Sequence, residues 1–125
     1  MARRHFIAAF AAILAFAAPA LSAAGLPAVG MRQSSSGAAA ADVKSIYDEG
    51  QASLEHGDLD RAETDFRKVL ALDPNLAGAW GNLGVIAMRR KQWTHALELL
   101  RKAERLAPNV AGVRLNIGLV YFHEE

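Results

Sequence analysis

The sequence predicts an all-α protein in which antiparallel helix-turn-helix units stack as a short α-solenoid. The first observation is internal repetition, because residues 43–76 align with residues 77–110 at a spacing of 34 and a third copy begins at residue 111. Self-similarity at such a period is typical of stacked supersecondary units. The second observation is that small and apolar residues within each copy recur at steps of three and four, as on one face of a helix. About two and a half repeats are expected in this part of the chain.

The residues that match between copies fall where packing or turning is most demanding. They are Gly50, Gly84 and Gly118; Ala62 and Ala96; Leu72 and Leu106; and the dipeptides Pro74-Asn75 and Pro108-Asn109. Because glycine and alanine are small, these positions should let the two helices of a pair approach closely. In the second pair we expect Gly84 and Ala96 to face each other. A large residue at either position should force the helices apart.

The first copy predicts two helices, one over residues 43–56 and one over residues 61–72. Gly57-Asp58 separates them, and Asp58 or Asp60 can cap the second helix. Asp73-Pro74 ends it, since proline lacks a backbone donor and disfavours a helical conformation in the preceding residue. The core-facing residues are Ile46, Gly50, Ser53 and Leu54 in the first helix and Ala62, Phe66, Val69 and Leu70 in the second.

The copies resemble the tetratricopeptide repeat, whose pattern is W-x2-L-G-x2-Y, then A-x3-F, then P. The second copy fits best and supplies Trp80, Leu83, Gly84, Ala96, Leu100 and Pro108, with Ala87 in place of the Tyr. The first copy keeps Ala62, Phe66 and Pro74. Residues 111–125 contribute only the first helix of a third copy, with Ile117, Gly118 and Tyr121 in register and Arg114 in place of the Trp. The resemblance covers residues 43–125.

This resemblance implies a right-handed superhelix whose concave face is lined by the first helix of each pair. Partner peptides of such proteins lie along that face, so the resemblance implies a protein-interaction scaffold with no catalytic activity and no cofactor. The residues that would line the face are Lys44, Tyr47, Asp48 and Gln51 from the first copy, Asn82, Val85 and Arg89 from the second, and Leu115, Asn116, Leu119 and His123 from the third.

Two of these residues, Asn82 and Asn116, are 34 positions apart and should project from the same slot of successive helices. A pair of amides can donate to and accept from an extended peptide backbone, which would give sequence-tolerant binding. The arrangement is similar to the asparagine ladder of the O-linked N-acetylglucosamine transferase repeats, although Asp48 fills the first rung here. The alternative is that both are ordinary polar residues. A clamp for a chaperone's C-terminal carboxylates is disfavoured, because only Asn82 matches its pattern.

The first 24 residues have the composition of a secretory signal peptide. Arg3 and Arg4 precede an uncharged apolar run over residues 6–18, and small residues follow it. As a helix this run would rise only about 20 Å, short of a hydrocarbon core of roughly 30 Å, which disfavours a membrane span. Cleavage is expected after Ala23 or Ala24, with Ala20 as the alternative, and the paired arginines leave twin-arginine export open beside the general route. The protein is therefore expected in a periplasm or outside the cell.

Residues 25–42 predict a flexible linker, because they combine Gly, Ser, Pro and Ala with few charges. The alanine run over residues 38–41 can extend into the first helix.

Charge is nearly balanced over the chain but uneven along the repeats. The formal net charge is +1 and becomes −1 if Arg3 and Arg4 are removed, so attraction to nucleic acid is not expected. Residues 43–76 hold eight acidic against four basic residues, whereas residues 77–110 hold six basic against two acidic residues. The densest cluster, Arg89-Arg90-Lys91, is either a solvated helix end or a docking patch for an acidic partner.

The sequence predicts neither catalysis nor a metal site. Cysteine is absent, and His5, His56, His95 and His123 lack the spacing of paired metal ligands. The expected function is that of an exported scaffold for a protein or peptide partner.

Two alternatives stay open: an N-terminal fragment of a longer repeat protein, and the targeting half or an accessory subunit of a cell-envelope enzyme. Because Ile117 and Tyr121 have no second helix of their own pair to meet, self-association through the last helix is also expected.

Overall fold

The computed structural model describes the backbone of residues 34–124 and the side chains of residues 37–124. This part of the chain forms five helices and no strand: α1 Ser34–Glu55, α2 Leu59–Leu72, α3 Ala77–Arg89, α4 Trp93–Leu106 and α5 Ala111–Glu124. The predicted all-α fold and its order of paired helices are therefore confirmed. The predicted signal peptide, residues 1–24, and residues 25–33 of the predicted linker lie outside the described residues.

Helix α1 begins at Ser34 and not near residue 43. Residues 34–42, predicted as the end of a flexible linker, are therefore helical. Alanine has the highest intrinsic helix propensity, and the alanine run over residues 38–41 carries the helix back from its amphipathic part. Residues 37–42 are exposed, so local propensity and not packing accounts for this extension.

The helices pack in chain order, each against the next, and the first helices of successive pairs also meet, α1 with α3 and α3 with α5. Two groups of buried residues fill the space between them, one around Phe66 and the other around Leu100. Trp80 and Leu99 pack against both groups, so the core is continuous along the stack. Each pair thus depends on its neighbour for part of its stability.

The turns inside the two complete pairs follow the same backbone path with different residues. Gly57 in the first pair and Lys91 in the second are 34 positions apart, and both have a positive φ, of 81° and 59°. The amides of Asp58 and Gln92 each donate to the carbonyl five residues earlier at 2.9 Å. A left-handed residue closed by such a bond is a Schellman motif, which satisfies carbonyls at the helix end.

The caps of the second helices differ between the pairs. In the first pair the Asp58 Oδ1 accepts from the amide of Arg61 at 3.2 Å, which decides between the two predicted capping residues. At the same position in the second pair, Gln92 makes no such side-chain bond. The second pair therefore begins its second helix without a side-chain cap.

A repeated hydrogen bond joins successive pairs. Trp80 Nε1 donates to the carbonyl of Pro74 at 2.8 Å, and Arg114, 34 positions later, donates to the carbonyl of Pro108 at 2.6 Å. The arginine that stands in place of the patterned Trp thus keeps the donor that this position requires. Side chains of different shape fix the same crossing between pairs.

The three matched glycines differ in how closely a neighbouring helix approaches them. A Cβ atom at Gly84 would lie 2.7 Å from the side chain of Leu100, and one at Gly50 would lie 3.1 Å from the ring of Phe66. The predicted contact of Gly84 with Ala96 is present at 3.5 Å, through the alanine carbonyl, but Leu100 is nearer. At Gly118 a Cβ atom would meet nothing within 4 Å among the described residues.

Candidate peptide-binding face

The first helices α1, α3 and α5 lie side by side and carry all eleven residues predicted to line a binding face, here called the first-helix face. Five of these residues are exposed: Lys44, Asp48, Arg89, Leu115 and His123. Two are half-buried, Gln51 and Leu119. Four are buried: Tyr47, Asn82, Val85 and Asn116. The surface available to a peptide is therefore narrower than the one predicted.

Asn82 is the largest departure from the prediction. Its side chain is fully buried, and its Nδ2 donates to the hydroxyl of Tyr47 at 3.0 Å, across the crossing of α1 and α3. The amide therefore links two helices and does not face a peptide. Asn116 is also buried, at 4% exposure, so the predicted asparagine ladder is not an accessible surface along α3 and α5.

Tyr47 covers Asn82 because its ring is itself held in the core. The ring meets Phe66 edge to face, with centroids 5.5 Å apart, and only 4% of the residue is exposed. Burial raises the pKa of Tyr47 to about 12, and the nearby carboxylate of Asp48 adds to this, against the hydrogen bond from Asn82. The phenol therefore stays neutral and serves as a polar link inside the stack.

The basic cluster at the end of α3 binds the first pair. Arg90 bonds to two carboxylates of α2, Asp60 at 2.6 Å and Glu63 at a shorter distance. Arg89 donates to the carbonyl of Leu54 at 2.6 Å. The third residue of the cluster, Lys91, lies in the turn after α3 and is exposed. Neither a solvated helix end nor a free docking patch describes Arg90, because its guanidinium bridges the two pairs.

The ion pair between Arg90 and Glu63 perturbs both groups. Hydrogen bonds from Arg90 and then from Arg67 lower the pKa of Glu63 below its usual value, while the bond to Glu63 raises the pKa of Arg90. Both side chains are about three-quarters buried, at 25% and 26% exposure, so water screens this pair less than the pairs on the surface.

The exposed part of the first-helix face carries both signs of charge. Lys44 and Asp48 form a surface ion pair at 2.5 Å near the N-terminal end. Arg89 and His123 occupy equivalent positions, 34 residues apart, on α3 and α5. The His123 ring stacks on Trp93, with centroids 4.7 Å apart and planes 9° apart. The face therefore offers polar groups of both signs beside an aromatic surface.

Within residues 34–124, no group of three or more His, Asp or Glu side chains could hold a metal ion. His56 lies at the end of α1, His95 on α4 and His123 on α5, so the described histidines do not come together. None of the helices described is both long and apolar enough to cross a membrane.

Comparison with known proteins agrees with the repeat architecture. A family model described as tetratricopeptide repeat matches residues 47–111. The chain is 33% identical over 78 residues to the mouse BBSome complex member BBS4 and 31% identical over 78 residues to its bovine counterpart. It is also 43% identical over 61 residues to a mouse FK506-binding protein-like protein.

The alignments cover only a small part of each relative. The two BBS4 alignments cover 62% of this chain but 15% of the relative, and the third covers 48% of this chain and 18% of the relative. The chain therefore spans less than a fifth of the length of these proteins.

Proposed function

The chain belongs to the tetratricopeptide repeat family, and from that premise we propose that it is an exported scaffold that binds a protein or peptide along its first-helix face and has no catalytic activity of its own. The observation that carries this proposal is the side-by-side contact of α1, α3 and α5. That contact puts equivalent positions of successive pairs in a row. The exposed members of the row are Lys44, Asp48, Arg89, Leu115 and His123.

The chemistry of the row favours an extended segment of mixed charge. A cation and an anion lie together on α1, at Lys44 and Asp48, while Arg89 follows on α3. Electrostatic complementarity of this kind selects a partner and its direction more than it adds affinity. The half-buried Gln51 and Leu119 occupy the same slot of α1 and α5 and would contact the segment between the charges.

A pair of double variants with matched chemistry tests this face. Peptides are first selected against the protein from a displayed random library, and binding of a selected peptide is then measured by fluorescence anisotropy. We expect Lys44→Glu with His123→Glu to weaken binding at least about tenfold, or roughly 1.4 kcal/mol.

The control changes the same residue types on second helices, Lys68→Glu with His95→Glu, and should alter binding less than about twofold. All four positions are exposed, so thermal melts of both variants should show that the fold is kept. Equal losses in the two variants, or a library that yields no peptide, would refute the proposed face.

Export is a separate part of the proposal and rests on the charged and apolar pattern of residues 1–24. Replacing Arg3 and Arg4 with Gln should slow processing, because the positive segment before an apolar run directs export. N-terminal sequencing of exported protein should begin between Leu21 and Gly25. Soluble cytoplasmic protein with an intact Met1 would contradict this assignment.

An alternative proposal is that the repeats are the N-terminal part of a longer repeat protein, or the targeting half or an accessory subunit of a cell-envelope enzyme. This alternative is supported by the length of the relatives, of which the aligned part makes up less than a fifth. The coding sequence directly after Glu125 separates these cases, because a further repeat or an enzyme domain there would replace the proposed stand-alone scaffold. Self-association through α5 is a further extension of the proposal, and sedimentation velocity of the wild-type protein across a concentration series measures it.

A further inference from the structure

The side of a helix pair that meets the preceding pair, here called the joining side, is aliphatic in the second copy. Its residues pack in or against the group of buried residues around Phe66, and they include Leu76, Ala79, Leu83, Ile86 and Leu99. Ala79, Leu83 and Ile86 are at most 4% exposed. The second pair is therefore joined to the first through apolar contacts.

The third copy repeats this arrangement on α5. The residues 34 positions later pack in or against the group around Leu100, and they are Val110, Val113, Ile117 and Val120. The sequence placed Ile117 with Tyr121 on an exposed apolar surface, but Ile117 is only 7% exposed. The reason is that its position faces the preceding pair.

The joining side of the first copy has a different composition. The equivalent residues, each 34 positions before an aliphatic residue of the second copy, are Asp42, Ser45, Glu49 and Ala52 on α1 and Asp65 on α2. The four residues on α1 are exposed. Each of the three carboxylates stands where the second copy has a leucine. Residues that join one pair to the pair before it are thus replaced by polar or small residues in the first copy.

Asp65 already lies in an unfavourable environment on this side. Only 5% of the residue is exposed, because it packs against α1, where a Cβ atom at Gly50 would lie 3.3 Å from its own Cβ. Its Oδ1 is 3.9 Å from the amine of Lys68, and its buried Oδ2 has no hydrogen-bond partner among the described residues. A further pair packed here would also take the carboxylate of Glu49 out of water, and burial of an unpaired charge is strongly unfavourable.

We propose that the joining side of the first pair is a built end of the stack, which admits neither a further helix pair nor another copy of the chain. Residue identity sets this end, because the same positions of α3 and α5 do receive a preceding pair. Polar outer faces of this kind keep stacked repeats from associating at their ends.

The built end has a consequence for assembly. A contact that joined α5 of one copy to α1 of the next would be head-to-tail, and repeated contacts of that type generate open filaments. The carboxylates on α1 and α2 oppose such growth. Copies that associate through α5 are thereby restricted to a closed, two-fold contact.

Insertion of a third complete pair tests the built end. A copy of residues 77–110 is placed between Asp42 and Val43 of the full chain, which keeps the 34-residue register. We expect the inserted pair to remain unfolded, because isolated helices of this length are marginal in water. The circular dichroism signal per molecule and the urea midpoint should then equal those of the parent chain.

A second insertion variant exchanges the joining side of the first pair for that of the second. It carries Ser45→Ala, Glu49→Leu, Ala52→Ile and Asp65→Leu. The inserted pair should now stack, so the helical signal per molecule should rise by roughly a third and the urea midpoint should increase.

The matched control carries the insertion with Glu55→Leu and Thr64→Leu. Both residues are exposed on the same two helices, and their equivalents in the second pair, Arg89 and Glu98, are exposed as well. Because these positions do not lie on the joining side, the control should show no gain in helical signal.

Three results would overturn the proposal. The first is a gain in helical signal from the insertion into the otherwise unchanged chain, with a single transition at a higher urea midpoint. The second is an equal gain in the control, and the third is no gain in the variant with four substitutions. None of these readouts involves a peptide, so each leaves the proposed function to its own test.

Discussion

The two complete helix pairs share one 34-residue pattern yet differ in how their equivalent positions are used. Asp48 of the first pair is exposed and pairs with Lys44 on the surface, whereas Asn82, in the same slot of the second pair, is fully buried against Tyr47. The cause is position in the stack, since α3 has neighbours on both sides and every residue from Gly78 to Met88 except Trp80 is buried. Equivalent residues therefore have different energetic weight depending on what lies beside their pair.

The largest expected difference between the pairs is at their matched glycines. A methyl group at Gly84 would lie 2.7 Å from the buried Leu100 side chain, so Gly84→Ala should destabilise the fold by about 1–2 kcal/mol even after the gain in helix propensity. Gly50→Ala should cost less, because its nearest contact is 3.1 Å. Gly118→Ala should be neutral or stabilise by up to about 1 kcal/mol. Urea unfolding followed by circular dichroism measures all three, and the same loss at each position would contradict the register.

A smaller difference is expected at the turns. Lys91 has a φ of 59°, a left-handed conformation that is unfavourable for any residue with a Cβ atom. Gly57 has a φ of 81° and, lacking a Cβ atom, adopts it without strain. Lys91→Gly should therefore stabilise the protein by about 0.5–1 kcal/mol, and Gly57→Lys should destabilise it by a similar amount. The two changes exchange the turn residues of the pairs, so thermal melts of the single and double variants form a matched set. Destabilisation by Lys91→Gly would show that its side chain contributes more than its backbone costs.

The smallest effect concerns the ion pair that joins the pairs. Because Arg90 lowers the pKa of Glu63 below its ordinary value of 4.5, the carboxylate stabilises the fold above that pH, and the contribution is lost as the pH falls through the lower folded-state value. Glu63→Gln should reduce stability at neutral pH by up to about 1 kcal/mol, with the difference from wild type vanishing in acid. The control is Glu55→Gln at an exposed position. A deficit that persisted in acid would assign the loss to packing.

Helix positions and turns could be predicted from the sequence because they depend on near neighbours in the chain. Gly57-Asp58 separates α1 from α2, and Asp73-Pro74 ends α2, as local backbone chemistry requires. An extension of α1 over the alanine run at residues 38–41 was allowed for, but its start at Ser34 was not predicted, since the glycine and serine before that run were weighed as linker composition. A run of four alanines was the signal that favoured a helix.

The accessibility of the candidate site could not be predicted in the same way. Asn82 is covered by Tyr47, 35 residues earlier in the chain. Arg90 bonds to carboxylates that lie 27 and 30 residues earlier. A repeat pattern identifies the slot of a residue but not what the neighbouring copy places over that slot. Tyr47 stands over Asn82, while the equivalent of Tyr47 in the next copy is Gly81, which brings no side chain.

Trp80 lies at the junction of the two groups of core residues, and its ring is covered by Lys102 of α4 at 5.8 Å. Because this side chain packs against both halves of the stack, unfolding of one half removes contacts that stabilise the other. Its fluorescence should therefore change at the same denaturant concentration as the helical signal of the whole chain. The two pairs would then melt in one cooperative transition, and the stack would behave thermodynamically as a single unit.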